Sequence, residues 1–284
     1  MKILILGASG MLGSTLWRFF RTCDDVNVYG TVRSITKTQL SELGEGENLF
    51  TGVDVENLDS LLKIFLETKP DMVINCIGLI KQLREINDPI KAINLNSIFP
   101  HRLAQVCKIS GARLIHFSTD CVFSGSRGAY VEADHPDALD LYGKTKHLGE
   151  VIEDHVVTLR TSIIGHELVS SHSLVDWFLS QEKFVNGYTN AIFSGVPTIE
   201  LAKIVYEHIL PRPELHGLYH VSSYPISKFD LLTLIAEIYN KDISINEDGN
   251  LKIDRSLNSD RFKTETGYTA PPWTELIKRM HNFS

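Results

Sequence analysis

The feature that most constrains this chain is the alternation of short apolar runs with amphipathic segments through its first 165 residues. The apolar runs predict strands over residues 2–6, 26–30, 49–53, 71–76, 113–117 and 156–160. Amphipathic segments between them predict helices over residues 12–21, 58–68, 89–110 and 142–153. Strands that are apolar throughout are buried on both faces, and their alternation with helices indicates an α/β fold with a doubly wound parallel sheet.

Beyond residue 165 the alternation becomes irregular and proline and glycine are frequent. The remaining pattern predicts helices over residues 173–181, 199–209, 227–239 and 273–281, and a strand over 217–221. We therefore expect a first domain, built on the doubly wound sheet, over residues 1–165, with elements near 195–221 returning to it. Residues 166–284 are expected to form mainly a smaller C-terminal α/β substrate lobe at the strand ends, where open α/β sheets bind ligands.

Composition excludes several classes of protein. The 284 residues include 28 Lys and Arg against 35 Asp and Glu, and a net charge of −7 argues against general nucleic-acid binding. No segment has the length of a membrane span, so no membrane partner is expected. The four cysteines form no CxxC pair and the 11 histidines show no metal-binding spacing. These patterns predict no metal site, no disulfide scaffold and a cytoplasmic location.

A glycine-rich turn, GASGMLG at residues 7–13, follows the first strand and opens the first helix. Gly7 permits a tight turn, Gly10 lets the backbone approach a pyrophosphate, and Gly13 allows the helix to pack against the strand. A helix N-terminus offers free N–H groups to phosphates. The spacing is GxxGxxG, and a tight strand-to-helix turn without a ligand is the alternative. The residues predicted to contact a dinucleotide here are Gly7, Ser9, Gly10, Met11, Leu12 and Gly13.

The end of the second strand predicts which cofactor is used. NAD-binding domains place a carboxylate there, about 20 residues beyond the turn, to hold the ribose 2′-hydroxyl. This chain has Arg33 and Ser34 instead. Because a guanidinium can bind phosphate in a bidentate manner, these residues favour NADPH over NADH. With the glycine turn, they predict that residues 1–165 form a Rossmann-type NADP-binding domain. A solvated surface arginine is the alternative.

A third group of residues has the pattern of a proton-transfer site. Tyr142 and Lys146 are four residues apart, so on a helix they share one face. An ammonium near a phenol lowers the phenol's pKa, and a tyrosine so tuned can exchange a proton with a carbonyl or alcohol oxygen. Lys146 could also bond the nicotinamide ribose. Thr119 ends the fifth strand, where its hydroxyl could hydrogen-bond the reacting oxygen.

These motifs carry a family resemblance. The chain resembles the extended short-chain dehydrogenases/reductases, and within them the dTDP-4-dehydrorhamnose reductase group. The similarity is clearest over residues 1–165 and continues more loosely through 194–203, 217–223 and the DRF sequence at 260–262. The matching segments are GASGMLG, NCIGLIKQ at 75–82, AINLNS at 92–97, FSTDCVFSG at 117–125, residues 130–150, and VTLRTSIIG at 157–165.

The resemblance implies NADPH-dependent reduction of the 4-keto group of a nucleoside-diphosphate 4-keto-6-deoxy sugar, in deoxysugar or surface polysaccharide biosynthesis. It implies Thr119, Tyr142 and Lys146 as the catalytic residues, and a homodimer as found in many relatives. Further cofactor contacts would come from Asp54, Val55, Cys76, Ile77, Gly78, Ser118 and Ile163, together with Tyr142 and Lys146. Substrate contacts would come from Lys81, Thr119, Asp120, Cys121, Val122 and Asn190.

The residues after Thr119 leave a second enzymatic interpretation open. Sugar-nucleotide dehydratases carry an Asp-Glu pair at this point, whereas this chain has Asp120 and Cys121, which argues against a dehydratase. In the GDP-fucose synthases a cysteine at the matching position works with a histidine in epimerisation. Cys121 with His172 could exchange protons beside a ketone in the same way. A 3- and/or 5-epimerase/4-reductase is therefore the alternative function. If the two residues have no catalytic role, Cys121 is a small buried residue and His172 a surface histidine.

A non-catalytic NADP-binding regulatory subunit is a third interpretation. Such relatives often lose the tyrosine or the lysine of the proton-transfer pair. Tyr142 and Lys146 are both present in this chain, so the sequence favours an enzyme.

Overall fold

A computed structural model describes residues 1–44, 46–81, 84–169 and 171–283, with the backbone alone for Arg84. Gln82, at the end of the NCIGLIKQ motif, and Ser170, near His172, lie outside the described residues.

Strands and helices alternate from the N-terminus as the sequence pattern predicts. The strands are β1 (Lys2–Leu6), β2 (Asn27–Val32), β3 (Leu49–Thr51), β4 (Met72–Asn75), β5 (Arg113–Thr119), β6 (Val156–Thr161), β7 (Ile163–Ile164), β8 (Phe184–Tyr188), β9 (Ala191–Phe193), β10 (Val196–Pro197), β11 (Gly217–His220), β12 (Ile226–Ser227), β13 (Ser244–Asp248) and β14 (Ile253–Asp254). The α-helices are α1 (Met11–Phe20), α2 (Lys37–Leu43), α3 (Leu58–Thr68), α4 (Pro89–Ile93), α5 (Phe99–Ser110), α6 (Leu141–Leu148), α7 (Leu174–Ser180), α8 (Thr198–Ile204), α9 (Lys228–Ile238), α10 (Asp260–Thr266) and α11 (Trp273–Phe283).

Seven strands form a parallel sheet in the order β11-β6-β5-β4-β1-β2-β3. The first strand therefore lies inside the sheet, and the chain winds outward from it in both directions. This strand order is that of a Rossmann-type sheet, so the predicted doubly wound α/β fold is confirmed. In such a sheet the point where the winding reverses lies beside β1, at the end where the glycine turn begins.

Continuous apolar strands explain why this sheet is buried on both faces. Leu4, Val73 and Leu114 lie on adjacent strands and are fully buried in one core cluster. Leu61 and Phe65 of α3 pack into the same cluster, one turn apart on the helix. Burying each such side chain contributes about 1.5–3 kcal/mol, so the sheet and its helices stabilise each other.

The chain divides into two compact units, each assembled from separate segments. Unit 1 consists of residues 1–118, 139–159 and 214–218, and unit 2 of residues 119–138, 160–213 and 219–284. The chain passes from unit 1 to unit 2 at residues 118/119, 159/160 and 218/219, and not at the predicted boundary of 165. The assignment of cofactor binding to one part and substrate binding to the other stays a prediction.

Unit 2 contains three small sheets. Strand β9 pairs with β12 antiparallel and with β14 parallel, while β8 pairs with β13 and β7 with β10, both parallel. The β8–β13 register joins Phe184 to Ser244 and Tyr188 to Asp248. The β8–β13 pairing links residues 60 positions apart in the chain.

Three predicted helices differ from the observed ones in kind or in extent, and the one over 199–209 has a π-helical second half, Val205–Ile209. The segment 89–110 contains a π-helical stretch, Asn94–Ile98, between α4 and α5. The helix expected to reach residue 153 ends at Leu148, with Gly149 as its C-cap residue. A Cβ on Gly149 would be 1.9 Å from the Asn96 carbonyl oxygen, so the close approach of the two backbones requires glycine there. Among the described residues, no helix is both long and apolar enough to cross a membrane.

Candidate active site

The glycine turn has the geometry that its sequence predicts. Gly7 has a φ of +85°, a conformation that favours glycine. A Cβ on Gly13 would lie 2.1 Å from the Gly7 carbonyl oxygen, so only glycine allows α1 to start this close to the turn. By contrast, the nearest atom to a Cβ on Gly10 would be 3.6 Å away, and Gly10 itself is exposed.

The first turn of α1 provides the groups that a phosphate binds. Gly10 is the N-cap residue, no side chain caps it, and the first turn contains no acidic residue. The early N–H groups of a helix have no partner within the helix and carry the positive end of its dipole. Met11 is half-buried and Leu12 is buried at the start of α1. The residues of this turn fit a dinucleotide pyrophosphate.

The predicted adenosine contacts lie on loops after β2 and β3. Arg33 and Ser34 directly follow β2, and both are exposed. Asp54 is also exposed, and its Oδ1 accepts the Glu56 N–H at 3.0 Å. Val55 is half-buried and packs on the core cluster of unit 1. All four side chains belong to unit 1.

Two buried asparagines hold the loop that follows β4. The Oδ1 of Asn75 accepts the Ile77 N–H at 3.0 Å, and the Oδ1 of Asn96 accepts the Leu79 N–H at 2.8 Å. The loop lies against the glycine turn, since a Cβ on Gly7 would be 2.9 Å from Ile77 Cγ1. Predicted cofactor contacts Cys76, Ile77 and Gly78 are therefore held in one loop beside the phosphate-binding turn. Burial raises the pKa of the Cys76 thiol, so this thiol is neutral.

Helix α6 presents Tyr142 and Lys146 one turn apart. Asp140 caps the helix by accepting the Gly143 N–H at 2.8 Å, and it also pairs with Lys81 at 2.8 Å. Lys146 is 7% exposed, and its Nζ donates a 2.6 Å hydrogen bond to the Phe117 carbonyl oxygen at the end of β5. Tyr142 is half-buried on the same helix.

Burial changes the protonation of Lys146. Desolvation lowers the pKa of its ammonium to about 8, and the negative charge of Glu150 opposes this shift. The Glu150 carboxylate accepts a 2.7 Å hydrogen bond from Ser118 Oγ. Ser118, predicted to contact the cofactor, thus also orients the carboxylate that faces Lys146. A lysine with a pKa near 8 is still mostly charged at neutral pH and can hold a nearby phenol in a more acidic state.

The Thr119 hydroxyl makes two local hydrogen bonds within unit 2. Its Oγ1 accepts the Cys121 N–H at 3.1 Å, which caps a short 3₁₀ turn over residues 120–122, and it donates to Asp120 Oδ1 at 3.2 Å. Asp120 is 8% exposed. Burial raises the pKa of its carboxyl, and nearby Arg255 opposes that shift. Tyr142 and Lys146 belong to unit 1, whereas Thr119 belongs to unit 2.

Asp120 and Cys121 line a cavity of about 360 Å³ within unit 2. Two cations face the same space: Arg255, whose Nη1 lies 3.9 Å from Cys121 Sγ, and Lys228, whose Nζ lies 4.6 Å from the centre of the Phe193 ring. Burial lowers the pKa of the Lys228 ammonium, and Asp120 and Cys121 oppose the shift. Three aromatic side chains also line the cavity, together with aliphatic ones: Trp177, Tyr188 and Phe193. A cavity with two cations and aromatic walls can accept an anionic ligand that carries a ring.

The remaining predicted residues lie apart from this cavity. His172 is exposed and is not among the residues described as lining it, so the structure does not bring His172 to the cavity beside Cys121. Asn190 is exposed and bonds the Gly249 carbonyl at 3.2 Å. Val122 is fully buried and packs with Phe123, so its side chain belongs to the core. Ile163 is half-buried in β7 of unit 2.

Sequence reasoning missed several residues near these groups. Lys228 and Arg255 are more than 100 residues from Cys121 in the chain, and no local pattern points to them. His116 and Glu150 both act electrostatically on or with Lys146. The signal that could have found them is their place in the sequence: His116 comes three residues before Thr119, and Glu150 four residues after Lys146. Among the described residues, no group of three or more His, Cys, Asp or Glu is arranged to hold a metal ion.

Two kinds of protein with similar sequences match more than half of the chain. The chain is 28% identical over 252 residues to methionine adenosyltransferase 2 subunit beta from Xenopus tropicalis, which covers 84% of this chain and 72% of the relative. It is 31% identical over 148 residues to a dTDP-4-dehydrorhamnose reductase from Streptomyces griseus, covering 52% of this chain and 43% of that one.

Solved structures share the fold. A dTDP-4-dehydrorhamnose reductase from Bacillus anthracis, solved in complex with NADP, matches with a TM-score of 0.81 at 20% identity and covers 100% of this chain and 99% of its own. A family model described as the RmlD substrate binding domain matches residues 1–282. With the glycine turn, the Tyr142–Lys146 helix and the Rossmann-type sheet in place, the chain belongs to this dTDP-4-dehydrorhamnose reductase-like family of extended short-chain dehydrogenases/reductases.

Proposed function

We propose that this protein is an NADPH-dependent oxidoreductase that reduces the 4-keto group of a nucleoside-diphosphate 4-keto-6-deoxy sugar. The observation that carries the proposal is the placement of Lys146. Its ammonium is buried on α6, one turn from Tyr142, and is fixed by the Phe117 carbonyl oxygen at 2.6 Å. A buried cation held beside a phenol is the arrangement that acid–base work by tyrosine requires.

The residues present fit NADPH. The turn at Gly7, Gly10 and Gly13 and the uncapped start of α1 would hold the pyrophosphate, and Arg33 would bind the 2′-phosphate. The loop of Cys76, Ile77 and Gly78 would line the cofactor. When bound, NADPH supplies the hydride for the keto carbon.

The chain's own residues handle the proton and the charge. As negative charge develops on the keto oxygen, the Tyr142 hydroxyl donates its proton to that oxygen. Lys146 stays charged and stabilises the phenolate that Tyr142 becomes. Within unit 2, Thr119 is proposed to donate a hydrogen bond to the substrate, in exchange for its bond to Asp120. Glu150 balances the Lys146 charge within the protein.

The cavity of unit 2 supports a nucleotide sugar as substrate. Lys228 and Arg255 place two positive charges there against the single carboxyl of Asp120, and the aromatic walls can stack on a ring. The relatives named as reductases include a glycan biosynthesis reductase from Haloferax volcanii. We therefore propose a role in deoxysugar or surface polysaccharide biosynthesis, with unit 1 binding the cofactor and unit 2 the sugar nucleotide.

The test is NADPH oxidation with 4-keto-6-deoxy sugars carried on dTDP, UDP, GDP and CDP, with product configuration determined by NMR. We expect one or two of these substrates to be reduced at C4, and Tyr142→Phe to abolish that turnover. A protein that binds NADPH yet reduces none of the panel would contradict the proposal.

A regulatory subunit is the second candidate, because the methionine adenosyltransferase 2 beta subunits match over 84% of this chain. It predicts NADPH binding without turnover, and a Tyr142→Phe variant with unchanged cellular function. The epimerase-reductase alternative predicts deuterium incorporation from solvent at C3 or C5 of the keto sugar. The exposed position of His172 gives that alternative no support, since its proton-transfer pair with Cys121 is not assembled at the cavity.

A further inference from the structure

A buried histidine that no motif explains lies beside the proposed catalytic lysine. His116 is on β5 and is 1% exposed, and it is paired in register with Asn75 on β4. The Asn75 Nδ2 and the His116 Nδ1 are 3.1 Å apart. All of these residues belong to unit 1.

The hydrogen bonds of Asn75 determine the state of the imidazole. Its Oδ1 is occupied by the Ile77 N–H at 3.0 Å, so the group that faces the ring is the Nδ2 amine, which can only donate. The Nδ1 of His116 must therefore accept, and an imidazolium cannot do so. The ring is neutral, with its proton on Nε2.

The Nε2 of His116 is buried, and it has no hydrogen-bond partner among the described residues. An unpaired buried donor is unfavourable, and a leucine or phenylalanine at this position of the strand would avoid it. The compensating feature is the acceptor on the other side of the ring. Burial, reinforced by the positive charge of Lys146, also lowers the pKa of His116 and keeps the acceptor available.

The amide of Asn75 in turn holds the loop of residues 76–79. Ile77 packs against the Gly7 turn, and a Cβ on Gly78 would lie 3.9 Å from Lys146 Nζ. At its far end the loop is fixed by Asn96, whose Nδ2 is 3.5 Å from Thr145 Oγ1 on the catalytic helix. The loop therefore touches both the phosphate-binding turn and the lysine.

We propose that His116 is a positioning residue whose neutral Nδ1 fixes the Asn75 amide, and through it the loop that lines the cofactor beside Lys146. The inference rests on the proposed function only for the identity of the cofactor. The hydrogen-bond arrangement is a property of the protein alone.

The first experiment reads the ring directly and needs no ligand. Long-range ¹H–¹⁵N NMR of the histidine side chains should show one ring with its proton on Nε2 and no titration between pH 5.5 and 8.5, because burial and the positive charges of Lys146 and His101 all oppose its protonation. A proton on Nδ1, or a titration of this ring within that range, overturns the proposal whether or not the protein proves to be a reductase.

The second experiment compares two substitutions of similar size. Asparagine offers an amide oxygen near the position of Nδ1, whereas leucine offers no acceptor. We expect His116→Leu to weaken NADPH binding by about tenfold, measured by fluorescence titration, and His116→Asn to stay within about threefold of wild type. Circular dichroism and thermal melting check that both variants fold.

A structural role alone predicts a different result. In that case both substitutions lower the melting temperature and leave NADPH affinity and KM unchanged, which overturns the proposal. If His116→Leu does not fold, His116→Val removes the same acceptor with a smaller β-branched side chain suited to a strand and should weaken NADPH binding to the same extent, while leaving the Asn75–Ile77 hydrogen bond in place. If wild type binds no NADPH, the proposed function fails, and the NMR measurement still decides the role of His116.

Discussion

Lys146 Nζ donates a 2.6 Å hydrogen bond to the carbonyl oxygen of Phe117, which fixes a charged side chain of helix α6 to the end of strand β5. The bond ties the lysine to a backbone atom of the sheet, so the ammonium has little freedom to move. Tyr142 lies one turn earlier on the same helix.

Tyr142→Phe should remove the proton donor while leaving the helix intact. General acid catalysis contributes about 100- to 10,000-fold, so we expect kcat to fall within that range. NADPH affinity should change by no more than about threefold, because a phenyl ring fills the same space. Steady-state kinetics with a reducible keto sugar and fluorescence titration with NADPH measure the two effects. Equal loss of kcat and of NADPH affinity would argue against the assigned role.

Burial of Lys146 makes stability depend on pH in a predictable direction. Its pKa is about 8 in the folded chain against an ordinary value of 10.5, so the unfolded chain binds more protons between these values. The free energy of unfolding contributed by Lys146 therefore rises with pH across this window, by up to about 1.4 kcal/mol per pH unit.

The variant Lys146→Met isolates this contribution. The unfolding free energy of the variant minus that of wild type should decrease as pH rises from 8 to 10.5, because wild type loses its desolvation cost and the variant never had it. Urea titrations at half-unit pH steps measure the difference. A difference that does not vary with pH would show that Lys146 is not desolvated.

Gly13→Ala and Gly10→Ala form a matched pair on the glycine turn. The new Cβ at residue 13 would lie 2.1 Å from the Gly7 carbonyl oxygen, whereas at residue 10 it would meet nothing closer than 3.6 Å. We expect Gly13→Ala to destabilise the protein by about 1–3 kcal/mol, since backbone must move. Gly10→Ala should keep wild-type stability and weaken NADPH binding, because its methyl group would project toward the pyrophosphate. Denaturant unfolding and NADPH titration separate these outcomes.

Arg33→Ala tests the preference for NADPH. The exposed guanidinium directly follows β2 and is available for a 2′-phosphate. Loss of its charge-assisted hydrogen bonds should reduce the affinity for NADPH by about tenfold or more and leave that for NADH unchanged. The ratio of the two dissociation constants is the measurement, and NADH in the same variant is its control. An unchanged ratio would place the 2′-phosphate elsewhere.

Much of unit 1 could be predicted because its signals are local. Strand β1 at Lys2–Leu6 and helix α3 at Leu58–Thr68 have the predicted bounds, since an uninterrupted apolar run and a capped amphipathic segment each specify their own structure. The short α2, Lys37–Leu43, was missed, although Thr36 and Gln39 form a capping box. Seven residues are too few for a clear apolar period.

The sequence by itself determined the individual strands of the sheet, the glycine turn and the Tyr142–Lys146 pair, because each depends on residues a few positions apart. Only the tertiary structure decided the neighbours of those groups. Phe117 bonds Lys146 across 29 residues, His116 meets Asn75 across 41, and Arg255 reaches Cys121 across 134. Contacts at such separations depend on how strands and loops pack, and no local period encodes them. The same reason explains why His172 could be paired with Cys121 in the sequence while the structure places Lys228 and Arg255 at that cavity.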